Sequence, residues 1–133
     1  MKGSVPLGVQ HKSAWLRLVG SFRHAFRGVG HCWKTEPNFR IEVWTSLLVL
    51  GISVWLKANL SIVLLCCAVV LCLEMINTAL EATIDLVTPE FHPLARVAKD
   101  VSAGSVLLAA MFSAIVGIFQ LGPPLWHKIQ SGG

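Results

Sequence analysis

Residues 60–100 read LSIVLLCCAVVLCLEMINTALEATIDLVTPEFHPLARVAKD, and this stretch decides the fold. Leu60 to Leu73 is a 14-residue run without a charge, about 21 Å of helix. Beyond it stand Glu74, Asn77, Glu81 and Asp85, at offsets of 0, 3, 7 and 11 residues. At about 100° per residue these four fall within roughly 80° of arc, so a single helix over 60–87 carries them on one narrow stripe. Ionisable groups at such depth are costly, and they face a bundle interior or a wet cavity where they serve a function. The 73–100 stretch holds five of the seven acidic residues of the chain.

Composition places that helix in a membrane. Of 133 residues, 54% are hydrophobic and 14% charged, far from the average of water-soluble domains and compact enough for one domain. Residues 1–12 have no continuous apolar segment and no cleavage pattern, so they read as a flexible N-terminal tail, not as a secretory signal. The net charge of +4 does not point to nucleic acid, because seven of the eleven Lys and Arg precede Ile41, beside the first apolar run, where a membrane surface accounts for them. Cys32, Cys66, Cys67 and Cys72 form no Cys-x-x-Cys pair and have no His at zinc-ligand spacing, so they read as small hydrophobes.

Outward from the central stretch, the expected architecture is all-α. Residues 13–34 form an amphipathic surface helix, with Trp15, Leu18, Val19, Phe22, Phe26 and Val29 at helical period and Arg17, Arg23, His24 and Arg27 largely apart from them. Its basic face suits anionic headgroups or a nucleotide phosphate, and a plain headgroup anchor explains it equally well. Residues 35–40, with Pro37, read as the joint to a first transmembrane helix at about 41–57. A very short turn leads to the second span, 60–87, which Thr88-Pro89 ends. A polar connector reaches Asp100, a third span covers 101–121, and Gly122-Pro123-Pro124 begins a C-terminal tail at 122–133. The excess of Lys and Arg before the first span, with Arg96 and Lys99 in the second connector, puts the N-terminus and that connector on the cytoplasmic side. The stripe then meets the surface helix on the side that contains nucleotides.

These residue types allow more than one chemistry. Mg2+ takes one or two protein carboxylates and completes its octahedron with water and phosphate oxygens, a task that Glu36 and Glu81 suit. Glu74, deepest in the apolar run, suits the base for a lipid alcohol, and Lys99 suits a phosphate. The same spacing allows a proton relay or cation site, and some of the acids could simply pair with Arg40, Arg96 or Lys99 across a bundle. The absence of a G-x-x-x-x-G-K-[ST] loop and of a kinase glycine-rich loop sets the soluble kinase folds aside.

Glu74-Met-Ile-Asn-Thr-Ala-Leu-Glu81, then Asp85, then Glu90-Phe-His-Pro-Leu-Ala-Arg-Val-Ala-Lys-Asp100 resembles the signature of the small prokaryotic diacylglycerol kinase and undecaprenol kinase family. The resemblance extends through Glu36-Pro-Asn-Phe-Arg40 and Ser21-Phe-Arg-His-Ala-Phe-Arg-Gly28 and covers roughly residues 15–120. It implies a homotrimer of three-span membrane subunits with a surface helix and active sites shared between neighbours. It also implies phosphorylation of a lipid hydroxyl at the cytoplasmic interface of the bacterial cell membrane, dependent on ATP and Mg2+. Residue by residue, Glu74 matches the catalytic base and Glu36 and Glu81 the metal-binding glutamates. Asn77, Lys99 and Asp100 match nucleotide-site positions, and Arg17 matches a basic residue near the site. His24 stands where the family often has Tyr, a candidate for stacking on adenine, and Leu80 replaces a more usual Ile. The segments Thr35–Ile41 and Glu90–Ala95 look more like the undecaprenol branch than the diacylglycerol branch, which makes undecaprenol the expected substrate and diacylglycerol the alternative.

Overall fold

The computed structural model describes residues 14–132, four helices in chain order: α1 Ala14–Thr35, α2 Pro37–Trp55, α3 Leu60–Val87 and α4 Pro93–Gln130. The all-α expectation holds, and α3 spans the range that the stripe argument required. The tail expected at 1–12 lies outside the described residues. The chain divides between His31 and Cys32 into two units.

The first unit carries most of α1, which starts and ends within a residue of the expected 13–34. Trp15, Leu18, Phe22 and Phe26 are exposed along it, and so are Arg17, Arg23, His24 and Arg27. A helix in the plane of a membrane interface carries both kinds of surface.

In the second unit the first correction concerns the joint. A polar segment over 35–40 is expected, whereas a single residue, Glu36, separates α1 from α2. Pro37 does not break a helix here but starts one, at the first helical position, where its missing N–H would have had no partner anyway. Proline also drives the residue before it to extended backbone, and Glu36 sits at φ −104° and ψ 107°. Its own N–H closes α1 by donating to the Cys32 carbonyl at 2.9 Å. The Glu36 carboxylate makes no capping hydrogen bond, which leaves it available for other work.

α3 packs against both α2 and α4. Its buried positions, Val63, Val70, Glu74 and Thr78, recur at helical spacing, so the buried face of α3 begins apolar and turns polar from Glu74 onward. The buried hydroxyls satisfy themselves within their own helices: Ser53 Oγ donates to the Val49 carbonyl at 2.7 Å, and Thr78 Oγ1 to the Glu74 carbonyl at 3.0 Å. Large apolar side chains such as Leu65, Phe112, Ile118 and Phe119 are exposed, which is the surface a lipid-facing helix presents. Among the described residues two helices are long and apolar enough to cross a bilayer, α3 and α4. α2 has 19 residues and carries Arg40 and Glu42 in its first two turns, so its apolar part is shorter than the span expected at 41–57.

The turn after α2 is a Schellman closure. The N–H of Ala58 reaches the Ser53 carbonyl at 2.9 Å and that of Lys57 the Val54 carbonyl at 3.2 Å, with Lys57 at φ 54°. A side chain in the left-handed region is strained there, so Lys57→Gly is expected to raise stability by about 0.5–1 kcal/mol. Thermal unfolding in detergent checks this, with Lys57→Ala as the comparison that should bring no such gain.

α4 departs most from expectation. The connector expected to run to Asp100 ends at His92, and helix begins at Pro93. His92 caps it, its Nδ1 accepting from the Leu94 N–H at 3.2 Å, and Pro93 occupies the first helical position. Arg96, Lys99 and Asp100 are therefore helical residues in the first two turns. At the other end the helix passes through Pro123 and Pro124 to Gln130, where a stop and a tail at 122–133 are expected. Gly122 has no Cβ to meet the Pro123 ring, and helices in membranes tolerate proline where local adjustment and neighbouring groups take up the freed carbonyls. Lys128 Nζ lies 4.0 Å from the centroid of the Trp55 ring, tying the end of α4 to the end of α2.

Candidate active site

The residues expected to act together fall into three places. Four carboxylates, Glu36, Glu42, Glu74 and Glu81, stand within electrostatic reach of one another through Glu74, which is 4% exposed. Glu36 comes from the α1–α2 joint, Glu42 from the second turn of α2, and Glu74 and Glu81 from α3. Asn77 joins them: its Nδ2 donates to Glu81 Oε1 at 3.1 Å, while its Oδ1 is buried without a partner. The expected grouping of Glu36, Glu74, Asn77 and Glu81 is thus present in space.

Glu42 is the member that sequence reasoning missed. It falls within the first apolar run, yet an acid two residues after Arg40 and inside a prospective span is itself a signal. Its Oε2 is buried and has no hydrogen-bond partner. It lines a cavity of about 570 Å³ between α2, α3 and α4, whose other walls include Ser46, Val63, Cys67, Ser113 and Gly117. A volume of that order holds a small molecule or part of a lipid chain.

A second, polar cleft of about 460 Å³ lies between the end of α3, the 88–92 connector and the first turns of α4. Lys99 and Asp100 line it, together with Asp85, His92 and Arg96. Asp85 leaves the acid stripe here, because its Oδ1 accepts from Lys99 Nζ in an ion pair that joins α3 to α4. Pairing across the bundle is therefore what this acid does, as the plainer reading of the stripe allowed. Asp100 lies 3.8 Å from the Arg96 guanidinium, one turn away and exposed, where an ion pair contributes little. Glu81 and Asp85 are one turn apart on α3, so the acid group and the cleft are neighbours separated by about 6 Å of helix rise.

Arg17 and His24 are in the third place, exposed on α1 in the first unit.

Could a divalent cation be held here? Among the described residues no three His, Cys, Asp or Glu side chains converge closely enough to hold a metal unaided. Mg2+ does not need such a cage, since one or two carboxylates with phosphate and water complete its shell. Glu36 and Glu81, each close enough to Glu74 to act on its charge, and the unpartnered Oδ1 of Asn77 supply oxygen donors of the kind that hard cations prefer. The residues present fit the ion.

A family model described as prokaryotic diacylglycerol kinase matches residues 23–121. The chain is 41% identical over 121 residues to a diacylglycerol kinase of Synechocystis sp., covering 86% of this chain and 69% of that protein. It is 36% identical over 118 residues to the undecaprenol kinase of Bacillus subtilis, covering 86% of this chain and 96% of that protein. To the diacylglycerol kinase of Escherichia coli K12 it is 31% identical over 106 residues, 77% of this chain and 87% of that one. The match takes in the acid group and the cleft alike. With its buried glutamate, its apolar helices and a family match over most of its length, the chain belongs to the prokaryotic diacylglycerol kinase family of membrane lipid kinases.

Proposed function

We propose that this protein transfers the γ-phosphoryl group of ATP to the hydroxyl of a membrane polyprenol, undecaprenol, giving undecaprenyl phosphate and ADP at the cytoplasmic face of the bacterial cell membrane. The observation that carries the reading is Glu74, a carboxylate buried in the middle of α3, directly after its apolar run and beside a cavity-lining acid. Glu74 accepts the proton of the lipid hydroxyl as that oxygen bonds to the γ-phosphorus and the bond from phosphorus to the β,γ-bridging oxygen breaks. Glu42, whose Oε2 is buried without a hydrogen-bond partner, lines the apolar cavity that takes part of the lipid chain and so sets where the hydroxyl lies beside Glu74. Lys99 places its charge on the phosphates, with Asn77 and Asp100 as further nucleotide contacts. Glu36 and Glu81 hold Mg2+, which when bound neutralises charge on the β- and γ-phosphoryl oxygens. Arg17 and His24 on α1 match family positions near the nucleotide, His24 as a candidate for stacking on adenine.

α2, α3 and α4 are read as three spans with the N-terminus in the cytoplasm. Seven basic residues precede Ile41, Lys57 stands alone in the α2–α3 turn, and Arg96 and Lys99 return to the side of the first group. A homotrimer in which neighbouring subunits share each active site is what the resemblance of the 74–100 signature adds to this reading.

For the substrate, the Thr35–Ile41 and Glu90–Ala95 segments favour the polyprenol, and the undecaprenol kinase of Bacillus subtilis is matched over nearly its whole length. The higher identity to the Synechocystis diacylglycerol kinase keeps diacylglycerol as the second reading. Purified protein in lipid vesicles, given labelled ATP and either undecaprenol or diacylglycerol, separates them. Undecaprenol is expected to be phosphorylated with a kcat/KM at least about tenfold higher. A reversed preference selects the second reading, and transfer to neither lipid ends both.

A further inference from the structure

Lys99 is the cation assigned to phosphate, yet it is not free to receive one. Its ammonium is one-third exposed and is held by the Asp85 carboxylate, 14 residues earlier on the facing helix. Both side chains line the polar cleft at the end of α3, so an anion that enters the cleft meets the lysine already neutralised. The other cation in the cleft, Arg96, is engaged by Asp100 one turn further along α4. An ammonium has three donors, but a close carboxylate and a phosphate compete for its charge, and the carboxylate also repels the phosphate. Asp85 is 64% exposed, which makes the pair weak enough to open.

We propose that Asp85 is a positioning residue that holds Lys99 in the cleft, and that nucleotide phosphate displaces Asp85 from it. Asp85 holds the lysine across the α3–α4 junction, pointed into the cleft instead of into water, and gives it up when the triphosphate arrives. The cost of that exchange is paid out of nucleotide affinity. The inference rests on the assignment of Lys99 to nucleotide phosphate.

Two experiments on the full-length protein in detergent test it, both read without lipid substrate. In the first, a non-hydrolysable ATP analogue is titrated by calorimetry into wild type and into Asp85→Asn, Asp85→Glu, Lys99→Met and the Asp85→Asn/Lys99→Met double variant. Asp85→Asn is expected to tighten binding about two- to fivefold, the scale of an exposed ion pair, and Asp85→Glu to restore the wild-type value. The gain should shrink in the Lys99→Met background, because there is then no lysine to release. In the second, a carbodiimide is used to join Asp85 to Lys99 in the wild type as a zero-length amide, read by mass spectrometry of the linked peptides. Saturating analogue should suppress that link. If Lys99→Met weakens binding while Asp85→Asn leaves it unchanged or weakens it, or if the analogue leaves the cross-link yield unaltered, Asp85 is not displaced and this inference falls with the nucleotide site intact. If Lys99→Met binds the analogue as wild type does, or if wild type binds none, the assignment of Lys99 itself falls and takes the inference with it.

Discussion

A Glu74→Gln chain is expected to lose lipid kinase turnover by about 10²- to 10⁴-fold, the range a positioned general base supplies, while still binding nucleotide. The substitution keeps the size and shape of the side chain, exchanges one acceptor oxygen for an NH2 donor and removes its basicity. The fold has little stake in the charge. Thr78 bonds to the backbone carbonyl of residue 74, not to its carboxylate, and Val63 and Val70 bury the same face of α3 without it. Nucleotide binding has still less stake in it, since Glu36 and Glu81 already crowd Glu74 with like charge and a triphosphate adds more. Neutralising position 74 should leave the affinity for an ATP analogue unchanged or tighten it. Single-turnover phosphoryl transfer to the preferred lipid, beside calorimetric nucleotide binding, reads the two properties separately. A Glu74→Gln protein that turns over at the wild-type rate would sink the base assignment, and one that is slow only because nucleotide no longer binds would move Glu74 to the nucleotide contacts.

Much of this site was legible along the chain because the helical period is a strong local signal. Glu74, Asn77 and Glu81 lie on one arc of one helix, and any reading that finds the helix finds the arc. Asp85 shares the arc but not the company, because what it meets is decided by α4, and an ion pair across 14 residues leaves no periodic trace. The beginning of α4 was misplaced for a related reason. His92-Pro93 reads as an interruption when proline is taken as a breaker, and as a start once the histidine side chain is seen to cap the helix. Pro37 repeats the lesson, since both prolines stand at first helical positions and each follows a residue held extended. Pro123 and Pro124 do the opposite and sit inside a helix, which the rule inferred from water-soluble chains does not anticipate. Glu42 escaped notice because it lies on α2, away from the stripe, and packing alone brings it near Glu74.

The second large effect is expected at Glu81. Its Oε1 is fixed by the Asn77 amide, and the same amide leaves its own oxygen buried without a donor. That arrangement costs about 1–3 kcal/mol for an orphaned acceptor, and a cation held at the Asn77 oxygen would relieve it. Glu81→Gln removes the negative charge and turns one of the two oxygens into a donor that repels a cation. The turnover of this variant is expected to drop about 100-fold at a Mg2+ concentration that saturates the wild type, and its half-maximal Mg2+ concentration to rise at least about tenfold. Asn77→Leu should weaken Mg2+ affinity, and so raise the half-maximal concentration in the same direction, by about 10- to 100-fold, the usual consequence of losing a group that orients a metal-binding carboxylate. A competing explanation, that Glu81 serves only to hold Asn77 and hence α3, predicts a lower unfolding temperature and no change in the Mg2+ dependence of whatever activity is left. Metal titrations at fixed nucleotide therefore discriminate: a Glu81→Gln protein with reduced rate and a wild-type Mg2+ midpoint would strip Glu81 of the metal role, whereas a shifted midpoint with unaltered thermal stability ties the residue to the ion. The same titration on Glu36→Gln, whose carboxylate makes no capping bond to lose, should show the shift without any structural penalty.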